Sequence, residues 1–217
     1  MPGAHARVGQ RDVRDVRDVD RRLFERILEQ LRADGIAVSD GFLSPFDVGV
    51  LAECAALRRA RGEFLEARIG ADSSLQRRED VRGDLICWLA GALLPAETRV
   101  LGALEQLRLC LNEGAYLGLL DLEIHYAWYA PGAAYARHVD QPRGRSARRV
   151  SLALYLNEGR APTDGGALRI QGDDGRLHDI EPVGGRLVLF LSALREHEVL
   201  LTQVPRLSLT GWFRGRE

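Results

Sequence analysis

Beyond Leu119 the chain breaks into short runs of strand-forming residues separated by Gly, Pro, Asp and Asn: 122–129, 150–157, 167–171, 177–181, 186–191, 199–202 and 207–213. Regular short strands with turn residues between them predict two antiparallel sheets packed face to face. The expected class is α+β and mainly β, with a double-stranded β-helix (jelly roll) as its core. Such a core gathers residues distant in sequence around one open end.

The upstream half reads as helical support. A helix is predicted over 20–34, with Leu23, Phe24, Ile27, Leu28 and Leu31 on one face and Gly35 as its stop. Ser44-Pro45-Phe46-Asp47 supplies a cap, a proline at the first helical position and an acid in the first turn, so a second helix should run to about Arg61. A third starts near Pro95, carries Val100, Leu104, Leu107 and Leu111, and ends at Gly114. Between these two, 85–89 is a short apolar strand. The expected organisation is a charged tail (1–20, with the repeat Arg11-Asp12-Val13), then one domain over 21–217: helices packed on one face over 21–118, jelly roll over 119–217.

Composition limits the functions available. With 217 residues, 46% of them hydrophobic, the chain can bury a full core without staples. Cys54, Cys87 and Cys110 are odd in number and far apart, which fits reduced core thiols in a cytoplasmic protein. No apolar leader or membrane-length run is present, so no membrane partner is expected. Lys+Arg 30 against Asp+Glu 31 leaves a net charge of -1, and with no overall basic field, nucleic acid is not expected as a direct partner.

Within the jelly-roll half, His138-Val139-Asp140 puts an imidazole and a carboxylate on one short segment, and His197 lies between apolar strand runs. Two His and one carboxylate are the facial ligand set that leaves positions open on non-haem Fe(II). Arg206, nine residues after His197, would sit on the next strand, where its guanidinium could grip a carboxylate through two parallel hydrogen bonds. Metal plus an acidic co-substrate is the chemistry this pattern points to. His5, His125 and His178 are read as ordinary core or surface residues, and Gly165-Gly166 as a turn, because no Lys-Ser/Thr and no helix follow it.

The segments Tyr129-Ala130-Pro131-Gly132 through Tyr135-Ala136-Arg137-His138-Val139-Asp140, then Tyr155-Leu156-Asn157, Gly165-Gly166-Ala167-Leu168, His197-Glu198-Val199 and Arg206-Leu207-Ser208-Leu209-Thr210-Gly211-Trp212 occur in a familiar order and spacing. In these residues the chain resembles the 2-oxoglutarate- and Fe(II)-dependent oxygenases of the prolyl 4-hydroxylase type. The likeness is greatest to bacterial relatives of the oxygen-sensing prolyl hydroxylases, including those associated with elongation factor Tu. The resemblance implies that His138, Asp140 and His197 hold Fe(II) and that Arg206 binds the distal carboxylate of 2-oxoglutarate. It further implies that Tyr155 adds a hydrogen bond there, that Thr210 and Trp212 line the pocket, and that Tyr129 contributes to co-substrate binding. Tyr135 is placed beside the opening, while Arg82, Asp84 and Arg148 join Trp212 as candidate substrate contacts. Leu168, Val199 and Trp212 are candidates to shield the site.

The implied reaction is hydroxylation of a peptidyl proline with O2, releasing succinate and CO2, with ascorbate as a candidate reductant and elongation factor Tu as the candidate protein substrate. The loop 141–149 carries Arg143, Arg145, Arg148 and Arg149 directly after the ligand segment, suited to an acidic protein surface more than to nucleic acid. The alternatives are an oxygenase acting on a non-prolyl or small-molecule substrate, and a non-catalytic jelly-roll module using the metal structurally.

Overall fold

The computed structural model describes residues 21–67, 82–141 and 147–216. The Arg-Asp-Val repeat and the centre of the arginine loop lie outside the described residues. In chain order the elements are α1 (Arg21–Asp34), β1 (Ile36–Ser39), α2 (Pro45–Ala60), β2 (Leu65–Glu66), β3 (Asp84–Trp88), α3 (Pro95–Ala115), β4 (Asp121–Tyr129), β5 (Tyr135–His138), β6 (Arg148–Tyr155), β7 (Leu168–Gln171), β8 (Leu177–Ile180), β9 (Leu187–Leu191), β10 (His197–Val199) and β11 (Arg206–Arg214).

The larger sheet runs β1-β9-β6-β11-β4-β3-β2 and the smaller β5-β10-β7-β8, with antiparallel pairing throughout. This is the expected double-stranded β-helix: β4, β6, β9 and β11 form one wall and β5, β7, β8 and β10 the other, with β1, β2 and β3 extending the first. Alternation along the strands sorts the side chains. Ile124, Tyr126, Leu152, Leu154, Leu189, Leu209 and Phe213 point outward and bury against α1, α2 and α3. Ala153, Tyr155, Val188 and Phe190 point inward against Leu168 and Ile170 of the smaller sheet.

The predicted helices and most strands are present to within a few residues. The strand expected over 199–202 instead starts at His197 and ends at Val199. Strands β1, β2 and β5 are not predicted from the sequence, since each spans four residues or fewer, too short to show apolar alternation.

Local chemistry sets the helix ends. Ser44 caps α2 by accepting from the Asp47 amide at 3.2 Å, and Pro45 occupies the first turn. Arg58 of α2 then reaches Glu97 of α3 through two hydrogen bonds of 2.7 Å, and also donates to Glu63 and to the carbonyl of Ala92. Glu97 is fully buried and accepts from the Leu94 amide at 2.8 Å, so one carboxylate starts α3 and locks it to α2. Burial raises the Glu97 pKa, but the Arg58 hydrogen bonds and charge, with the Leu94 amide, more than reverse this and hold it below the ordinary value.

A buried charge that loses its partner is costly, typically about 3–5 kcal/mol. Arg58→Met should therefore lower unfolding free energy by about that amount. Arg58→Met combined with Glu97→Leu should recover much of the loss, as read by urea denaturation. Equal instability of the single and double variants would mean that packing, not the stranded carboxylate, sets the cost.

Candidate active site

The site is built at the open end of the β-helix. Strand β10 pairs with both β5 and β7, and its register puts His197 directly opposite His138. A register shift between β10 and β5 modifies the usual alternation. Tyr135 and His138, three apart, consequently share the cavity wall with their rings stacked at 3.8 Å and 21°. Asp140 follows β5 and completes a cluster in which one ligand atom from each of His138, Asp140 and His197 lies within 4.8 Å of the others.

Each ligand is oriented from behind. The Nδ1 atoms of His138 and His197 contact the carbonyls of Ala136 at 2.8 Å and Arg195 at 3.1 Å, and protonation there leaves each Nε2 lone pair toward Asp140. The Nε2 atoms lie 3.5 and 3.6 Å from the two Asp140 oxygens. Ser151 Oγ donates to Asp140 Oδ2 at 2.7 Å and is itself 2.8 Å from Ser192 Oγ. Burial alone would raise the Asp140 pKa, but the two imidazoles beside it and the Ser151 hydrogen bond outweigh it and keep the group a carboxylate. Burial pushes His197 down, against the pull of Asp140, favouring the neutral ring that a metal needs.

At the far end of the cavity is Arg206, 2% exposed. Its Nε donates to the Gly166 carbonyl at 2.9 Å, and its guanidinium lies 4.9 and 5.1 Å from the rings of Tyr129 and Tyr155. No acidic side chain among the described residues pairs with it. Tyr155 is fully buried, and its hydroxyl has no hydrogen-bond partner. Burial raises the Tyr155 pKa, against the neighbouring Arg206 charge, so the hydroxyl remains a donor. Gly165 and Gly166 adopt φ of +67° and +72°, and this turn aims the Gly166 carbonyl at Arg206.

The remaining sequence candidates gather around the same cavity, about 610 Å³ including its open mouth. Thr210, Trp212, Leu168 and Val199 line it as expected. Arg148 lies over the Trp212 ring at 3.5 Å and donates to the Asp140 carbonyl at 3.3 Å. Arg82 and Asp84 also reach the wall, but they bond to each other at 2.7 and 3.0 Å, with Asp84 3% exposed. Arg82 is the half that faces Tyr135, at 4.8 Å from its ring. Two features were missed. Ser151 lies four residues before Tyr155 on the inward face of β6, and His125 lies four before Tyr129 on the inward face of β4; the period of two from the tyrosines was the available signal.

A double-stranded β-helix with a His-Asp-His cluster at one end of its cavity and a lone buried guanidinium at the other defines a metal centre with a subsite for an anionic ligand. Residues 124–214 match the model of the 2OG-Fe(II) oxygenase superfamily. A Pseudomonas putida prolyl-4-hydroxylase crystal structure superposes with a TM-score of 0.82 and 44% identity, covering 89% of this chain and all of that one. A prolyl hydroxylase from Trichoplax adhaerens shares the fold at a TM-score of 0.82 and 24% identity, covering 89% of each chain. Human Egl nine homolog 1 is 31% identical over 197 residues, 87% of this chain and 46% of that protein. The chain spans about half the length of these Egl nine relatives. It belongs to the 2OG-Fe(II) oxygenases of the prolyl 4-hydroxylase type.

That family's cofactors are Fe(II) and 2-oxoglutarate, and the residues fit both. Three hard-to-intermediate N and O donors converge on one point, and an unneutralised buried cation with an idle phenol beside it is suited to a carboxylate.

Ser151→Ala should weaken metal binding by roughly 10–100-fold, measured by Mn(II) equilibrium dialysis, because Asp140 loses its orienting donor. Gly166→Ala forces φ of +72° on a residue whose Cβ would lie 2.9 Å from Thr202 Oγ1. It should cost about 1–3 kcal/mol of stability and weaken 2-oxoglutarate binding, leaving Mn(II) affinity unchanged.

Proposed function

We propose that the chain hydroxylates a proline residue of a protein, with His138, Asp140 and His197 holding Fe(II) and Arg206 with Tyr155 binding the distal carboxylate of 2-oxoglutarate. The single observation that carries this reading is the pairing of the facial cluster with Arg206, a buried guanidinium facing the same cavity without a carboxylate of its own. When bound, the metal with 2-oxoglutarate and O2 supplies an oxidant that converts a substrate C–H to C–OH, while 2-oxoglutarate leaves as succinate and CO2.

The chain's residues then have separable tasks. Arg206 and Tyr155 fix one end of the co-substrate, so its other end is delivered to the metal in one orientation. Leu168, Val199 and Phe190 exclude water around the ligands. Tyr135, Arg82 and Arg148 line the cavity, where aromatic and guanidinium faces suit a peptide segment carrying a compact proline ring. Likeness to a bacterial prolyl-4-hydroxylase across the whole of its chain supports proline as the target. Among protein substrates, the sequence resemblance makes elongation factor Tu the first candidate.

The test is mass spectrometry of elongation factor Tu and of total host protein after incubation with the enzyme, Fe(II), 2-oxoglutarate and O2. One added oxygen on a proline, with succinate formed alongside, is expected. Oxygen added to another residue or only to a small molecule would reject the proline assignment. No succinate under any condition would favour a binding module.

A further inference from the structure

The iron ligands and Arg206 leave two side chains of the cavity wall with unpaired ring nitrogens, Trp212 through Nε1 and His125 through both. His125 of β4 is 1% exposed, contributes to the cavity wall, and has neither ring nitrogen hydrogen-bonded. It lies between Trp88 at 4.6 Å and Trp212 at 5.7 Å between ring centroids, so the indoles fix the ring without accepting from it. A buried, unpaired imidazole is costly unless something fills the cavity beside it.

The strand register locates it. His125 is opposite Thr210, which is opposite Ala153, whereas Ser151, the donor to Asp140, is opposite Trp212 one inward position along. Arg206 is opposite Tyr129, four residues from His125, roughly 13 Å along the strand. His125 therefore belongs to the metal end of the cavity and not to the Arg206 end. It is not within the metal-ligand cluster.

We infer that His125 donates an N–H hydrogen bond to the carboxylate of 2-oxoglutarate nearest the metal, so that buried donors hold both ends of the co-substrate. The inference rests on the reading of this cavity as a 2-oxoglutarate site. Burial, helped by the charge of Arg82, pushes the His125 pKa down to about 3, so the ring is neutral and carries one N–H donor and one bare nitrogen. A neutral ring adds no positive charge beside the metal, and its single N–H matches an anionic acceptor that the protein itself does not provide.

The experiment is anaerobic titration of the Mn(II)-loaded protein with 2-oxoglutarate and, separately, with 4-oxopentanoate, which keeps the distal carboxylate and the oxo group but has a methyl in place of the metal-side carboxylate. His125→Met keeps the volume and removes the donor. It should weaken 2-oxoglutarate roughly tenfold or more, change 4-oxopentanoate less than about twofold, leave Mn(II) affinity intact and leave the melting temperature equal or higher. His125→Gln, which restores an N–H, should recover part of the 2-oxoglutarate affinity, while Arg206→Met should weaken both ligands. Unchanged 2-oxoglutarate binding in His125→Met would overturn the inference, as would equal weakening of both ligands or loss of Mn(II). A wild-type protein that binds Mn(II) but not 2-oxoglutarate would reject the cavity assignment itself, and the role of His125 with it.

Discussion

The register of one three-residue strand governs the site. β10 is pinned between β5 and β7, and that pinning sets His197 opposite both His138 and Ile170. A slip of one residue would turn His197 outward and bring Glu198 into its place, because side chains alternate between faces. The register shift against β5 matters equally, since it lets Tyr135 and His138 stack in one wall. Short strands carry little register information of their own. Here it comes from the closed ladder around them.

The second constraint is electrostatic. A cavity that buries Arg206 without an acid, leaves the Tyr155 hydroxyl idle and holds His125 neutral and unpaired carries donors that its own carboxylates, Asp84 and Asp140, do not meet. Such a cavity is under-satisfied when considered as protein alone, and ordinary folding pressure would not retain it. Its donors are laid out along β4, β6 and β11, strands held rigidly at the centre of the larger sheet, so their spacing is fixed before any ligand arrives. Preorganisation of this kind keeps the ordering cost of binding low.

Behind that sheet, the helices act as a backing plate. The outward residues of β4, β6, β9 and β11 are satisfied by α1, α2 and α3, and the Arg58–Glu97 pair fixes α2 against α3. This division lets the inward face be polar where chemistry needs it. The same alternation that buries Leu152 and Leu154 outward presents Ser151, Ala153 and Tyr155 inward.

The amino-acid sequence by itself determined the class of fold, because strand-length runs with turn residues between them leave few other ways to bury their apolar faces. It also determined the donor set: His138, Asp140, His197 and Arg206 are residue types whose joint spacing is informative without coordinates. Tertiary structure alone decided the rest. Strand β5 has no apolar alternation and exists only because β10 pairs with it. Ser151 becomes an orienting group only once Asp140 folds back onto it, and Asp84 is committed to Arg82. His125 is the clearest case: its spacing from Tyr129 gives the face, but only the fold shows that both ring nitrogens reach the cavity wall without a partner. Chain composition and spacing specify which groups are available, whereas non-local pairing specifies which of them meet.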